Sequence, residues 1–327
     1  SRIGHRACIV CILGETSFDR YEHKELVKAT ALKLSSAAGP EVKFLTQGMP
    51  GVQETFAKNC RDRSCVWNLC PSGYRSGYGI GTDIIAGANA DERKAIFSLV
   101  GDIYVMVEGD AGLAKEAKAA HERGATVVPL MRTGGASAGK HGFIALAQFN
   151  PLSPNLEKEW SLLSDTEAGL FDSAGAASAV IVEAAKRHVH LARKMTLKKA
   201  ADVRSKLGRD ACIVCILGGA KFKTDENEKF VEAMAAKLSA VVGPKVKFLT
   251  GGMAGVQETF ANNCGDGSRV WNLLPFGQQS GYGTGTDINA GADLEERKAI
   301  FALVGDIYVS VEGGSGVAQE AKEAYGR

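Results

Sequence analysis

The chain has 327 residues, 45% hydrophobic and 23% charged, an ordinary balance for a globular protein and enough length for two domains. A net charge of +2 at neutral pH removes the electrostatic ground for nucleic-acid binding. No apolar run approaches the ~20 residues that a membrane helix needs, so no membrane association is expected.

Taken in order, strand and helix signals alternate. ACIVCILG from Ala7 is apolar and β-branched and predicts a buried strand. Its Cys8 and Cys11, three apart, then point to opposite faces, so they cannot share a zinc or close a redox bridge. Residues 18–36 carry helical periodicity and stop at Gly39-Pro40. VKFLT (42–46) predicts a second strand, followed by a glycine turn and a short helix over 52–59. VWNLCP (66–71) predicts a third strand, and the Gly- and Tyr-rich stretch after it a loop. In that loop, Tyr78 and Asp83 suit either a lid over a base or ribose or a packed surface between units. A charged helix (91–100), a fourth strand (102–109), a helix (112–123) and a fifth strand (126–131) complete the unit. Strands this apolar, alternating with helices, predict an α/β fold with a Rossmann-like, doubly wound, mostly parallel sheet.

The unit then recurs. Cys8 reappears as Cys212, and the offset of 204 positions holds without a gap to Arg327, with about two-thirds of aligned residues identical, the mark of a duplication. Three segments follow: a first domain over 1–150, a helical tail or linker over 151–207, and a second domain over 208–327. The second copy stops within a predicted helix and the chain opens on Ser1. That pattern fits a piece of a longer tandem array whose second copy is C-terminally incomplete. A long helix is expected over about 174–197. The basic stretch 186–206 reads either as a solvated helix end complementing the macrodipole or as a docking patch for an acidic protein partner. Of the remaining cysteines, Cys65 and Cys70 become Arg269 and Leu274 in the second copy. Such loose usage favours a reducing intracellular compartment, and neither a metal nor a cofactor is expected.

The copies differ most usefully at their glycine turns. FLTGGMAG places Gly251, Gly252 and Gly255 between a strand and a helix, and VSVEGGSG places Gly313, Gly314 and Gly316 likewise. Glycines let backbone N–H groups approach an anion, and a helix N-terminus favours negative charge. Two such turns at matched strand ends suggest a phosphate cradle. In the first copy, Gln47 and Asp110 replace two of the glycines while Gly48 and Gly51 remain. The first copy is therefore expected to bind phosphate poorly.

The order G-G-x-x-G, then E-R-K on a helix, then G-G-x-G-x-x-x-E (Gly313 to Glu320) resembles the SLOG superfamily. Within it, the resemblance is to the Lonely Guy (LOG) type of phosphoribohydrolase, some of whose members carry the name lysine decarboxylase. It covers about residues 211–324 and again 7–131. The resemblance implies a nucleotide-like small-molecule ligand and hydrolysis of the N-glycosidic bond of a nucleoside 5′-monophosphate. It also implies Glu320 as the catalytic carboxylate, Arg297 as its partner, and Lys298 and the six glycines as phosphate binders. Arg93 and Glu116 are the counterparts in the degenerate first copy. The family's proline before the double glycine is Glu312 here, and its threonine is Val317. Two other classes of function stay open: a non-catalytic ligand carrier, and an architectural repeat whose copies associate with one another or with neighbouring repeats as pseudo-dimers.

Overall fold

The computed structural model describes residues 7–142 and 154–325. The expectations placed on Ser1, on the domain limit at Asn150 and on Arg327 lie outside these residues. The chain forms two compact units, one running to His190 and the other starting at Leu191.

The first unit comprises β1 (Cys8–Gly14), α1 (Tyr21–Ala37), β2 (Val42–Thr46), α2 (Val52–Asn59), β3 (Val66–Cys70), β4 (Thr82–Ile85) and α3 (Ala90–Val100). It continues through β5 (Ile103–Val107), α4 (Ala111–Glu122), β6 (Thr126–Leu130) and α5 (Glu157–Leu162), and takes in the start of α6 (Leu170–Leu207). Its six strands are ordered β4-β3-β2-β1-β5-β6, every pair parallel. The second unit repeats the plan with β7 (Cys212–Gly218), α7 (Asp225–Val241), β8 (Val246–Thr250), α8 (Val256–Asn263), β9 (Val270–Leu274), β10 (Thr286–Asn289), α9 (Leu294–Val304), β11 (Ile307–Val311) and α10 (Ser315–Tyr325). Its five strands run β10-β9-β8-β7-β11, again all parallel. The fold is thus α/β, with helices flanking each parallel sheet.

The apolar runs become central strands because both of their faces are covered. Val10, Ile12, Phe44 and Val105 are almost wholly buried and pack with Leu26, Val27, Phe56 and, from α6, Ala177, Val180 and Ile181. In the second unit Phe248 and Phe260 meet at 5.1 Å between ring centroids, within the spacing at which aromatic pairs attract. The far end of α6 joins the second core through Ala200, Val203 and Leu207. Two cations of the basic stretch are engaged there: Lys199 with Glu296 at 2.6 Å and Arg204 with Asp306 at 2.7 Å. All eight cysteines are free thiols. Burial pushes the Cys8 thiol up to about 12, so it behaves as a small hydrophobe. No helix among the described residues is long and apolar enough to cross a membrane.

Two differences from the sequence reading have clear causes. The expected loop after β3 contains a strand, β4, repeated as β10. These four-residue edge strands are exposed at most positions and flanked by glycines, so they lack the apolar signal of the central strands. The long helix extends at both ends of its predicted span, to Leu170 and Leu207.

Phe260→Ala is expected to cost about 3–5 kcal/mol through the cavity it leaves, seen as a lower urea midpoint for the second unit's unfolding transition.

Candidate functional site

In each sheet the strand order reverses beside the first strand of the unit, between β1 and β5 and between β7 and β11. Open α/β sheets bind ligands outside the carboxyl ends of the strands at such a point. In the second unit the turn after β11, Gly313 to Gly316, lies there. The turn after β8, Gly251 to Gly255, lies one strand away.

The turn after β8 is closed by the chain's own side chains. The amides of Gly251 and Met253 donate to Gln257 Oε1 at 2.8 and 3.2 Å, and that of Gly252 donates to Thr250 Oγ1 at 3.1 Å. Gly255 precedes α8 with φ 78°, and a Cβ there would fall 2.5 Å from Gly219 O, so glycine is required for packing. This corrects the expectation that Gly251 and Gly252 offer free amides to phosphate. The first copy repeats the closure, with Gln53 Oε1 accepting from the Gln47 and Met49 amides at 2.7 and 3.4 Å, and with Gly48 and Gly51 again at positive φ.

Below this turn Thr250 Oγ1 meets Asn272 Oδ1 and the Tyr282 hydroxyl at 2.7 and 2.8 Å, and Asn272 Nδ2 donates to Asp287 Oδ1 at 2.9 Å. Thr46, Asn68, Tyr78 and Asp83 form the same network in the first unit. Of the two roles open to Tyr282, Asp287, Tyr78 and Asp83, these bonds are those of a packed support for the loop.

The turn after β11 is open. Cβ atoms added at Gly314 or Gly316 would meet nothing within 4 Å. The first amides of a helix have no intrahelical acceptor, the first backbone bond of α10 runs from Ala318 N to Gly314 O, and Gly314 has no side chain to cap the helix. Gly313 has φ 121°; a Cβ added at Gly219 would lie 3.7 Å from its Cα, so a second glycine, missed in the sequence, lets the two switch-point turns approach. Glu312, which stands where the family has proline, holds φ 54°, an uncommon backbone state for a residue with a side chain. Its carboxylate accepts from the Lys223 amide at 3.1 Å and from the Asn227 side chain. The charge is therefore tied to the turn after β7.

One turn into α10, Glu320 Oε1 lies 3.1 Å from Arg297 Nη1 on α9, both side chains buried. Burial lowers the pKa of Arg297 from the ordinary arginine value, and the Glu320 charge opposes that shift. A Cβ at Gly251 would strike Arg297 Nη1 at 2.7 Å, so this glycine makes room for the guanidinium. The structure thus brings Arg297, Glu320 and Gly251 together. Lys298 is turned to Glu295 on its own helix, at 2.8 Å.

The first unit fills the same places with its own atoms. Gln47 Nε2 donates to Glu116 Oε2 at 2.6 Å, and Arg93 Nη1 donates to the Gln47 carbonyl at 3.1 Å. Asp110 caps α4 by accepting from the Leu113 amide at 2.9 Å, which is the position of Val317 in the second copy. Glu108, also at positive φ (55°), lies 2.5 Å from His23 Nδ1. Burial raises the pKa of Glu15, and the nearby charges of Asp110, Glu108 and Asp19 add to it. Four carboxylates therefore gather where the second unit has Gly219, Lys223, Glu312 and Gly314.

No protein-family model matches the chain, and no curated protein matches it. Among solved structures, the X-ray structure of TM1055, a structural genomics target, aligns over 43% of this chain and 83% of its own length, at 17% identity and a TM-score of 0.37.

Replacing Asp110 with Ala removes the cap and is expected to lower stability by about 1 kcal/mol, read as a fall in melting temperature. Burial, named first among the causes, raises the Glu116 pKa against the hydrogen bond from Gln47. A carboxyl whose pKa is raised by folding stabilises below its unfolded pKa and loses that contribution as pH climbs through the folded value. Glu116→Gln should therefore gain on the wild type in melting temperature as pH rises from about 4 toward neutrality.

Proposed function

We propose that the second unit binds a nucleotide-like ligand by its phosphate at the turn Gly313–Gly316, and that the first unit does not. The observation that carries this is the uncapped N-terminus of α10 at the switch point, where the duplicate copy supplies the Asp110 carboxylate instead. An anion is what those amides and the helix dipole favour. The motif order shared with LOG-type phosphoribohydrolases points the same way.

In the reaction that the resemblance implies, water attacks C1′ of the nucleoside monophosphate. The C–N bond breaks and the base leaves with the bonding pair, taking up a proton to balance the one that water loses. The products are free base and ribose 5-phosphate. Glu320 is the group suited to stabilise positive charge at C1′ or orient the water, and Arg297 keeps it ionised and in place. The burial of Glu320 against Arg297 favours a second reading, binding without turnover, in which the pair serves only as the floor of the site.

Calorimetric titration with AMP separates these outcomes. Wild type should bind. Gly314→Asp, which copies the first unit, should weaken binding by tenfold or more (about 1.4 kcal/mol) without loss of melting temperature, because the new carboxylate caps α10. Binding by the wild type and by this variant alike would overturn the proposal. Release of ribose 5-phosphate from AMP or cytokinin ribotides, abolished in Glu320→Gln, would select hydrolysis. Binding without product would select the carrier.

A further inference from the structure

The two copies differ at one sheet edge, and the difference defines a docking site. In the first unit β5 is covered on both sides, by β1 and by β6, which pairs with it in parallel from Ile103↔Thr126 to Val107↔Leu130. All five β5 residues are buried. In the second unit β11 pairs with β7, and among the described residues no strand lies on its other side. None of its residues is fully buried. The same isoleucine is 1% exposed as Ile103 and 51% exposed as Ile307. Four of the five β11 residues repeat those of β5. The fifth exchanges buried Met106 for exposed Ser310.

An uncovered strand edge presents main-chain donors and acceptors to any extended segment that fits, and apolar side chains beside them add affinity. We infer that the outer edge of β11 is an acceptor site for an added parallel strand, and that its occupant is an extended apolar segment with the pattern of β6, Thr-Val-Val-Pro-Leu. The duplicate copy supplies the occupant's chemistry. The backbone that pairs with β6 in the first unit recurs in the second, and the run Ile-Tyr-Val recurs with it. The middle of β6 suits an edge position, since Pro129 gives no amide to a further neighbour. Ser310 in place of Met106 makes the uncovered edge less apolar than its buried counterpart, a usual feature of strands whose edge is not always paired.

The test uses the whole chain and a fluorescent peptide spanning residues 124–132, with a scrambled peptide as control. Saturable binding of the first peptide alone is expected, together with slowed amide exchange at 307–311. Ile307→Lys places a charge on the edge and should weaken binding by about tenfold or more. Because that side chain is half exposed, melting temperature should hold, and Ile307→Val serves as the conservative control. Absence of saturable binding, or binding untouched by Ile307→Lys, overturns the inference. So does sedimentation showing that chains pair with one another through this edge, in a manner that Ile307→Lys abolishes while the peptide fails to compete.

Discussion

Each unit depends on a guanidinium held under the turn that follows its second strand. Arg297 and Arg93 are at most 5% exposed, and each has its Nε buried without a hydrogen-bond partner. A buried charge is costly unless it is paired, so the surroundings are arranged about the terminal nitrogens. In the second unit a bare glycine, Gly251, admits the guanidinium, and Glu320 receives it from the neighbouring helix. In the first, Gln47 takes the glycine's place, its carbonyl accepting from the arginine and its amide occupying Glu116. One substitution thus exchanges a direct ion pair for a relay of neutral hydrogen bonds while keeping the backbone of the turn.

The electrostatics at the switch point follow from a few further substitutions. Glu15, Asp19 and Asp110 in the first unit stand against Gly219, Lys223 and Gly314 in the second. Three negative charges become one positive and two neutral residues, while Glu108 and Glu312 are common to both. Like charges at ~4 Å oppose one another by about 4 kcal/mol at an intermediate dielectric. A phosphate approaching the first unit would therefore meet the cap carboxylate in contact and the others behind it. The second unit offers unsatisfied amides in the same place. The duplication acts as an internal control, since fold, strand order and the supporting Thr-Asn-Tyr-Asp network are held constant while the charge at the ligand position is reversed.

Much of this was legible in the sequence because the central strands are apolar on both faces and the helices are punctuated by glycine and proline. Residues 42–46 and 66–70 emerge as read. Arg297 and Glu320 meet across 23 positions, as motif order implied. Less visible were contacts whose meaning depends on which strands are neighbours. Gln257 looks like an ordinary helix residue, yet its carbonyl oxygen takes two of the amides expected to face a ligand. Gly219 matters only because β7 and β11 are adjacent and bring it against Gly313. Strands β4 and β10 carry almost no hydrophobic signal, since an edge strand with exposed faces buries too little to require one.

The glutamate at positive φ brings the two copies back together. A side chain in the left-handed region costs on the order of 1–3 kcal/mol, and such strain is commonly taken as a sign of a ligand site. Here it persists at Glu108, where the ligand position is occupied by the chain's own carboxylate, as well as at Glu312, where it is open. Its common consequence is structural. In both copies the carboxylate leaves the β-strand end and ties down the turn of the neighbouring strand, through Asp19 N and His23 in one and Lys223 N and Asn227 in the other. Strain at this residue therefore holds the two switch-point turns together. The choice between an anion and a cap is made two residues later, at Asp110 or Gly314.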